Sequence, residues 1–275
     1  MQSVGTRGYL NEEYRLFHSV DQRDLDFEAH NHDFHKIVLC LSGHVTYVME
    51  GSTYFLRPWD LLLIPEHQIH QSSFRSDEVY ERIILWINDR FLQRFNEPAL
   101  LDVFEWPHRR RTGLFRPEAP RRAALSDKLR EVERCQSASF AGHTLLADTY
   151  LIQFLMELRG QFGDAPDTAA SSVRSDPRFN RMLEFINQNL AGDLSVDRLA
   201  REFFLSSSYL MHAFKRHTGC TLHQYVLQKR LIQAAAAIRE GEPVVASALA
   251  AGFSDYTTFL KAFRKQYGCA PGELR

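Results

Sequence analysis

Three histidines and two basic pairs are the residues whose types and spacing point to chemistry. His30 and His32 stand two apart in HNHDFHKIVLC, and His70 closes PEHQIH. Alternate residues of a strand share a face, so on a strand the two imidazoles point the same way, with His70 as a possible third arm. Imidazoles so placed can hold zinc, iron, copper or nickel, line a pocket for an organic ligand, or simply pack in a core. Spacing alone leaves the three open. Towards the other end, Lys215-Arg216 follows Phe214 and Arg264-Lys265 echoes it after Phe263, with Gly219 and Gly268 closing the two runs. Repeated basic pairs suit phosphate contacts, although basic residues also end helices for dipole reasons. No Ser-His-Asp or Cys-His array, phosphate-cradling glycine loop or acid/base carboxylate pair stands out, so no catalytic residue and no cofactor is expected. Cys40, Cys135, Cys220 and Cys269 are far apart, without a C-x-x-C pair, which predicts reduced thiols and neither a disulfide framework nor a structural zinc site.

The elements that position these residues differ along the chain. From His30 to about Asn88 short apolar runs (Ile37 to Leu41, Leu61 to Ile64, Arg82 to Ile87) and the alternating Val45, Tyr47 and Met49 are punctuated by Ser42-Gly43, Glu50-Gly51 and Pro58-Trp59-Asp60. That predicts a small antiparallel barrel or sandwich. After Asp89 the period becomes helical. Phe91, Leu92 and Phe95 share a face, and two amphipathic helices are predicted between Arg121 and Phe162, broken at Ser137-Ala138-Ser139. Leu145, Ile152 and Leu155 form an apolar stripe that suits either the barrel or a second copy of the chain, with Asp148 interrupting the seam. Gly163 to Ser172 has almost nothing to bury and reads as a flexible linker. From Pro177 onward every pattern is helical.

The 275 residues carry a net charge of −1, but residues 1–175 hold 20 basic against 25 acidic side chains and residues 176–275 hold 13 against 9. An acidic front and a basic tail suggest a sensing unit joined to a nucleic-acid-binding one. No apolar run is long enough for a membrane span, and the opening residues lack the apolar segment of a secretory signal. A cytoplasmic address without membrane contact is therefore expected.

The tail contains a degenerate repeat. Leu199-Ala200, Leu205-Ser206, Tyr209-Leu210, Phe214-Lys215 and Gly219 are echoed about 50 residues later by Ala248, Gly252-Phe253, Phe259, Phe263-Arg264 and Gly268. Each half reads as helix, tight turn and second helix, a helix-turn-helix unit. With Arg230-Leu231 and the closing Gly268-x-x-Pro271-x-x-x-Arg275, the last hundred residues resemble the AraC/XylS family of bacterial transcription regulators. The resemblance implies that Ser208, Met211 and His212 face bases in the first unit, and Tyr256, Thr257, Thr258 and Lys261 in the second. Lys215, Arg216, Arg264 and Lys265 are then phosphate contacts, and Ser206 caps the first reading helix. Leu199, Leu210, Phe214, Phe253, Phe259 and Phe263 are expected in the core. Ser247 stands where the family has a large aliphatic residue, which predicts weaker packing in the second unit.

The front, through HNHDFHKIVLCLSG, PWDLLLIPEHQIH and ERIILWIN, resembles the cupin domain that often precedes such a tail. Trp59 replaces the glycine usual before the aspartate. The glutamate that metal-using cupins place shortly after H-x-H is absent, because Ile37 and its neighbours are apolar, so no metal is expected. The resemblance implies an effector pocket of His30, His32, Tyr47, His70 and Arg82, a mixture suited to a sugar or related metabolite.

The expected fold is multidomain α+β, namely a cupin-like antiparallel β-barrel (residues 1–110), a helical dimerisation region (111–162), a linker (163–175) and an all-α double helix-turn-helix (176–275). The expected function is a non-enzymatic transcription regulator, an activator by preference. Its expected partners are promoter DNA, a small-molecule effector, RNA polymerase and a second copy of itself. The alternative is a metal-dependent cupin enzyme fused to a DNA-binding tail.

Overall fold

Period-two burial shapes the front half. In the computed structural model, which describes residues 10–75, 77–162 and 170–274, the strands are β1 (Tyr14–Asp21), β2 (Leu25–Asp26), β3 (His35–Ser42), β4 (Val45–Met49), β5 (Ser52–Leu56), β6 (Leu61–Ile64), β7 (His70–Phe74), β8 (Tyr80–Ile87), β9 (Leu114–Phe115) and β10 (Val173–Ser175). They form two five-stranded antiparallel sheets ordered β1-β8-β3-β6-β9 and β10-β5-β4-β7-β2. β3 pairs with β8 so that Lys36 faces Trp86, Val38 faces Ile84 and Cys40 faces Arg82. Val38 and Cys40 pack with Tyr47, Tyr54 and Phe74 in the core between the sheets. Ile37 and Leu39 turn the other way and join a second core beneath the helices.

Those helices are α1 (Asp89–Arg94), α2 (Pro98–Arg110), α3 (Ala119–Gln136) and α4 (His143–Gly160). The helical layer thus begins at Asp89, and β9 returns to the sheet beside β6, so a division at 110/111 falls inside one folded unit. The apolar stripe of α4 also splits. Leu155 is fully buried and Ile152 packs at the edge of the same core, whereas Leu145 is 69% exposed. Asp148 interrupts no seam, since it is buried and takes a 2.5 Å ion pair from Arg94 of α1. α4 packs against α2 and α3, with Leu155 turned into the shared core and the Leu145 side left outward.

Of the segment read as a linker, residues 163–169 lie outside the described residues. Residues 170–175 are not a free tether, because Ala170–Ser172 form a 3-10 turn and β10 adds an edge strand to β5. Ser172 is buried and accepts from Arg57 (2.9 Å) and Arg116 (3.0 Å). Arg116 also grips the fully buried Asp60 with two bonds of 2.6 and 2.8 Å. Ser172, read as part of the linker, belongs to this network instead.

The tail comprises α5 (Pro177–Gln188), α6 (Val196–Glu202), α7 (Ser207–Thr218), α8 (Leu222–Arg239), α9 (Val244–Ala250) and α10 (Tyr256–Tyr267). Caps explain the starts of five of them: Asp176, Ser195, Ser206, Thr221 and Asp255 each accept a first-turn N–H, satisfying donors that no helix can satisfy itself, while α9 follows Pro243 without a side-chain cap. Leu199, Leu210 and Phe214 fill one core, and Phe253, Phe259 and Phe263 a second. No helix among the described residues is long and apolar enough to cross a membrane.

Candidate DNA-reading helices and effector pocket

In the first tail unit α6 and α7 are tied by Ser207, whose hydroxyl donates to Asp197 at 2.8 Å. Ser206 caps α7 by accepting from the Tyr209 N–H at 3.2 Å. Leu210, Ala213 and Phe214 turn inward, which leaves Ser206, Ser208, Met211, His212, Lys215 and Arg216 exposed. α10 repeats the arrangement. Asp255 accepts from the Thr258 N–H at 2.7 Å and from the Thr258 hydroxyl, while Phe259 and Phe263 are buried and Tyr256, Thr257, Thr258, Lys261, Arg264 and Lys265 are exposed. Each helix therefore shows a short polar N-terminal face followed by two basic side chains.

The two units are held to each other. Arg230 of α8 donates to the carbonyls of Leu190 and Gly192 at 2.8 and 2.9 Å, in the turn before α6. Gly252, with φ +90°, lies so close to that turn that a β-carbon would meet the Leu190 oxygen at 2.6 Å. Only glycine combines that dihedral with that approach. Ser247 is buried, and its hydroxyl donates to the Pro243 carbonyl at 3.0 Å, so the small residue of α9 carries no unmet polar group.

In the barrel, the turn before Asp60 keeps its shape without glycine: Trp59 holds φ +76° and its N–H donates to the Cys40 carbonyl at 2.6 Å. The three histidines come together. His30 bridges His70 through paired backbone bonds of 3.0 and 2.9 Å, and their rings lie 4.4 Å apart, with His32 4.9 Å from His70. Each Nδ1 faces a backbone carbonyl, that of Glu28 (2.8 Å), Phe34 (2.6 Å) or Gln68 (3.0 Å). A carbonyl only accepts, so Nδ1 carries the hydrogen and Nε2 is the bare lone pair. Nε2 of His32 and of His70 is buried without a partner. Burial, helped by the charge of Lys36, holds all three imidazoles below their ordinary range, His32 and His70 well below it.

Tyr47 and Arg82 are buried in the same barrel. Arg82 is already matched, for it pairs with Asp21 at 2.8 Å and lies over the Tyr80 ring at 4.5 Å. Lys36 belongs to this interior and was missed in the sequence. Its signal was a lone lysine in phase with Val38 and Cys40 in an otherwise apolar run. Burial, with Arg82 second, lowers its ammonium to about 8.

A different trio, His35, Glu66 and Asp89, brings one ligand atom each within 4.8 Å. His35 is spoken for: its Nε2 donates to Asp89 at 2.7 Å and its Nδ1 accepts the Glu66 N–H at 3.2 Å. The group clamps α1 to the sheet and keeps no free imidazole nitrogen for a metal.

The barrel and the tail also touch. Glu50, in the β4–β5 turn, takes Lys229 of α8 at 2.7 Å, the Tyr225 hydroxyl at 2.6 Å and the Ile69 N–H at 2.9 Å. Asp33 pairs with Arg239 at 3.1 Å, and Asn31 donates to Gln228 at 3.3 Å.

Two family models match the chain, the AraC-like ligand binding domain over residues 14–155 and a helix-turn-helix domain over residues 199–275. The HTH-type transcriptional activator RhaS of Escherichia coli is 25% identical over 255 residues, which cover 91% of this chain and 88% of RhaS. Among solved structures, apo ToxT from Vibrio cholerae covers 96% of this chain and 97% of its own at 12% identity with a TM-score of 0.41. The AraC-like transcriptional activator CuxR covers 82% of this chain and 78% of its own at 14% identity, also with a TM-score of 0.41.

Proposed function

Since the chain belongs to the AraC/XylS family of transcription regulators, with an AraC-like ligand-binding domain ahead of its helix-turn-helix domain, we propose that a small molecule in the barrel sets how α7 and α10 engage a promoter. The segment 30–33 carries this reading. His30 and His32 belong to the barrel cluster, while Asn31 and Asp33 hold Gln228 and Arg239 of α8, the helix between the two reading units. A ligand that shifts the histidines shifts, on the same short stretch of backbone, the residues that grip α8. Differential contact of this kind moves a pre-existing equilibrium, and a coupling of about 1–3 kcal/mol changes DNA affinity ~5–150-fold.

On DNA, Ser208, Met211, His212, Tyr256, Thr257, Thr258 and Lys261 are assigned to bases, and Lys215, Arg216, Arg264 and Lys265 to phosphates, with Ser206 holding the start of α7. Their support is exposure on the two capped helices. The regulator acts in the cytoplasm as a homodimer through the outward side of α4, where Leu145 and Met156 are exposed, and works as an activator that contacts RNA polymerase. The relatives found are regulators, and nothing in them supports the enzyme alternative.

The test is fluorescence anisotropy of the full chain on DNA from its own upstream region. Lys215→Ala and Arg264→Ala are expected to weaken binding on all sequences and to lower the salt slope by about 1 each, while His212→Ala and Lys261→Ala change base preference. Equal affinity for upstream and random duplex would refute the reading.

A further inference from the structure

Lys36 is a charge inside the barrel that the fold does not match. Among the described residues it has no ion pair, and its ammonium lies over the Tyr47 ring at 5.8 Å. The neighbouring cation is Arg82, itself neutralised by Asp21. An ammonium largely withdrawn from water without a counter-charge is costly and tends to be retained for a purpose. A row of aromatic rings links Lys36 to the histidines. Lys36 sits opposite Trp86 in the β3–β8 register, Trp86 packs on Phe34 at 4.7 Å, and Phe34 stacks on His32 at 4.1 Å. His32 and His70 each offer an Nε2 lone pair with nothing to accept from. Lys36 and His30 remain partly exposed, whereas His32 and His70 are buried, so Lys36 and His30 mark the side from which a ligand enters.

A neutral sugar could donate hydroxyls to the two histidines but would leave the ammonium unmatched. We propose that the effector is a hydroxylated carboxylic acid, its carboxylate paired with Lys36 and its hydroxyls donating to Nε2 of His32 and His70. The proposal rests on the reading of the barrel as the sensing unit, and it narrows the expected sugar or related metabolite to an acid. The unmatched cation whose charge reaches the histidines, Lys36, also favours an anion over a metal ion at this place.

The experiment is a thermal-shift comparison on the full chain with matched pairs: glucuronate against glucose, galacturonate against galactose, lactate against propane-1,2-diol. Each acid is balanced with sodium chloride to equal ionic strength. At least one acid is expected to raise the melting temperature where its neutral partner does not, and Lys36→Met and Lys36→Gln are expected to abolish that shift. The wild-type comparison needs no variant, so it decides even where a variant fails to fold. Equal shifts from acid and neutral partner, a shift that survives in both Lys36 variants, or no shift from any acid overturns the proposal. Sequence-selective binding to upstream DNA, measured in parallel, separates the two readings. If it persists, only the acid assignment falls, and if it is lost, the regulator reading itself falls.

Discussion

Replacing Glu50 by glutamine should loosen the barrel from the tail by an amount that the contacts set. The Glu50 and Lys229 side chains are 17% and 14% exposed and 2.7 Å apart. The same carboxylate accepts from Tyr225, a fully buried residue whose hydroxyl otherwise reaches only the Asn187 side chain at 3.3 Å. Removing one member of a buried pair costs about 3–5 kcal/mol, and the residual exposure argues for the lower end with Glu50→Ala. Glu50→Gln removes the charge and keeps one acceptor oxygen, which serves either the Ile69 N–H or the Tyr225 hydroxyl because the two donate to different carboxylate oxygens, so about 1–3 kcal/mol is expected. Lys229→Met keeps most of the stem and deletes the other charge. Urea denaturation of the full chain for the wild type, both single variants and the double gives a thermodynamic cycle, with a coupling of about 1 kcal/mol or more for groups in contact. Losses that add to within about 0.3 kcal/mol would mean that the two domains do not share this contact in solution. The transmission route through α8 would then lose its second anchor.

Asp60→Asn breaks the two-bond pair with Arg116 in a fully buried position and should cost about 3 kcal/mol in urea denaturation, with β10 released to proteolysis through the shared Ser172. An unchanged midpoint would refute it. Acid should destabilise the fold through His32 and His70: burial depresses their folded values, so stability is whole above about pH 6.5 and falls below it as the unfolded chain takes up the protons. Each contributes up to about 1.4 kcal/mol per pH unit, and His70→Gln should flatten the profile between pH 6 and 5 by that slope, an unaltered profile counting against the burial argument. Light scattering should give a dimer for the wild type and a monomer for Leu145→Glu with circular dichroism unchanged, whereas Leu155→Glu should unfold the chain. A folded, dimeric Leu145→Glu would exclude the outward side of α4.

What the sequence determined by itself was local. Capping residues, helical period and the turns closed by Gly219 and Gly268 act within a few residues, so both helix-turn-helix units, their cores and their exposed faces were legible, as were the strands with strict alternation such as β4. The tertiary structure decided whatever depends on distant partners. β1 carries only a weak pattern and is defined by its register with β8, Tyr14 against Ile87. α2 carries Pro107 inside it, which hides it from a reading by period. Residues 170–175 become an ordered turn and strand because Arg57 and Arg116 come to Ser172 from elsewhere and β5 offers a free edge. Lys36, Asn31 and Glu50 each look like surface residues in the sequence. Their roles arise from groups 175 or more positions away for Glu50 and Asn31, and for Lys36 from a cross-barrel enclosure, neither of which leaves a trace in local spacing. Leu145 and Leu155 share one stripe in sequence, and only the packing of α4 against α2 and α3 decides which of them is core.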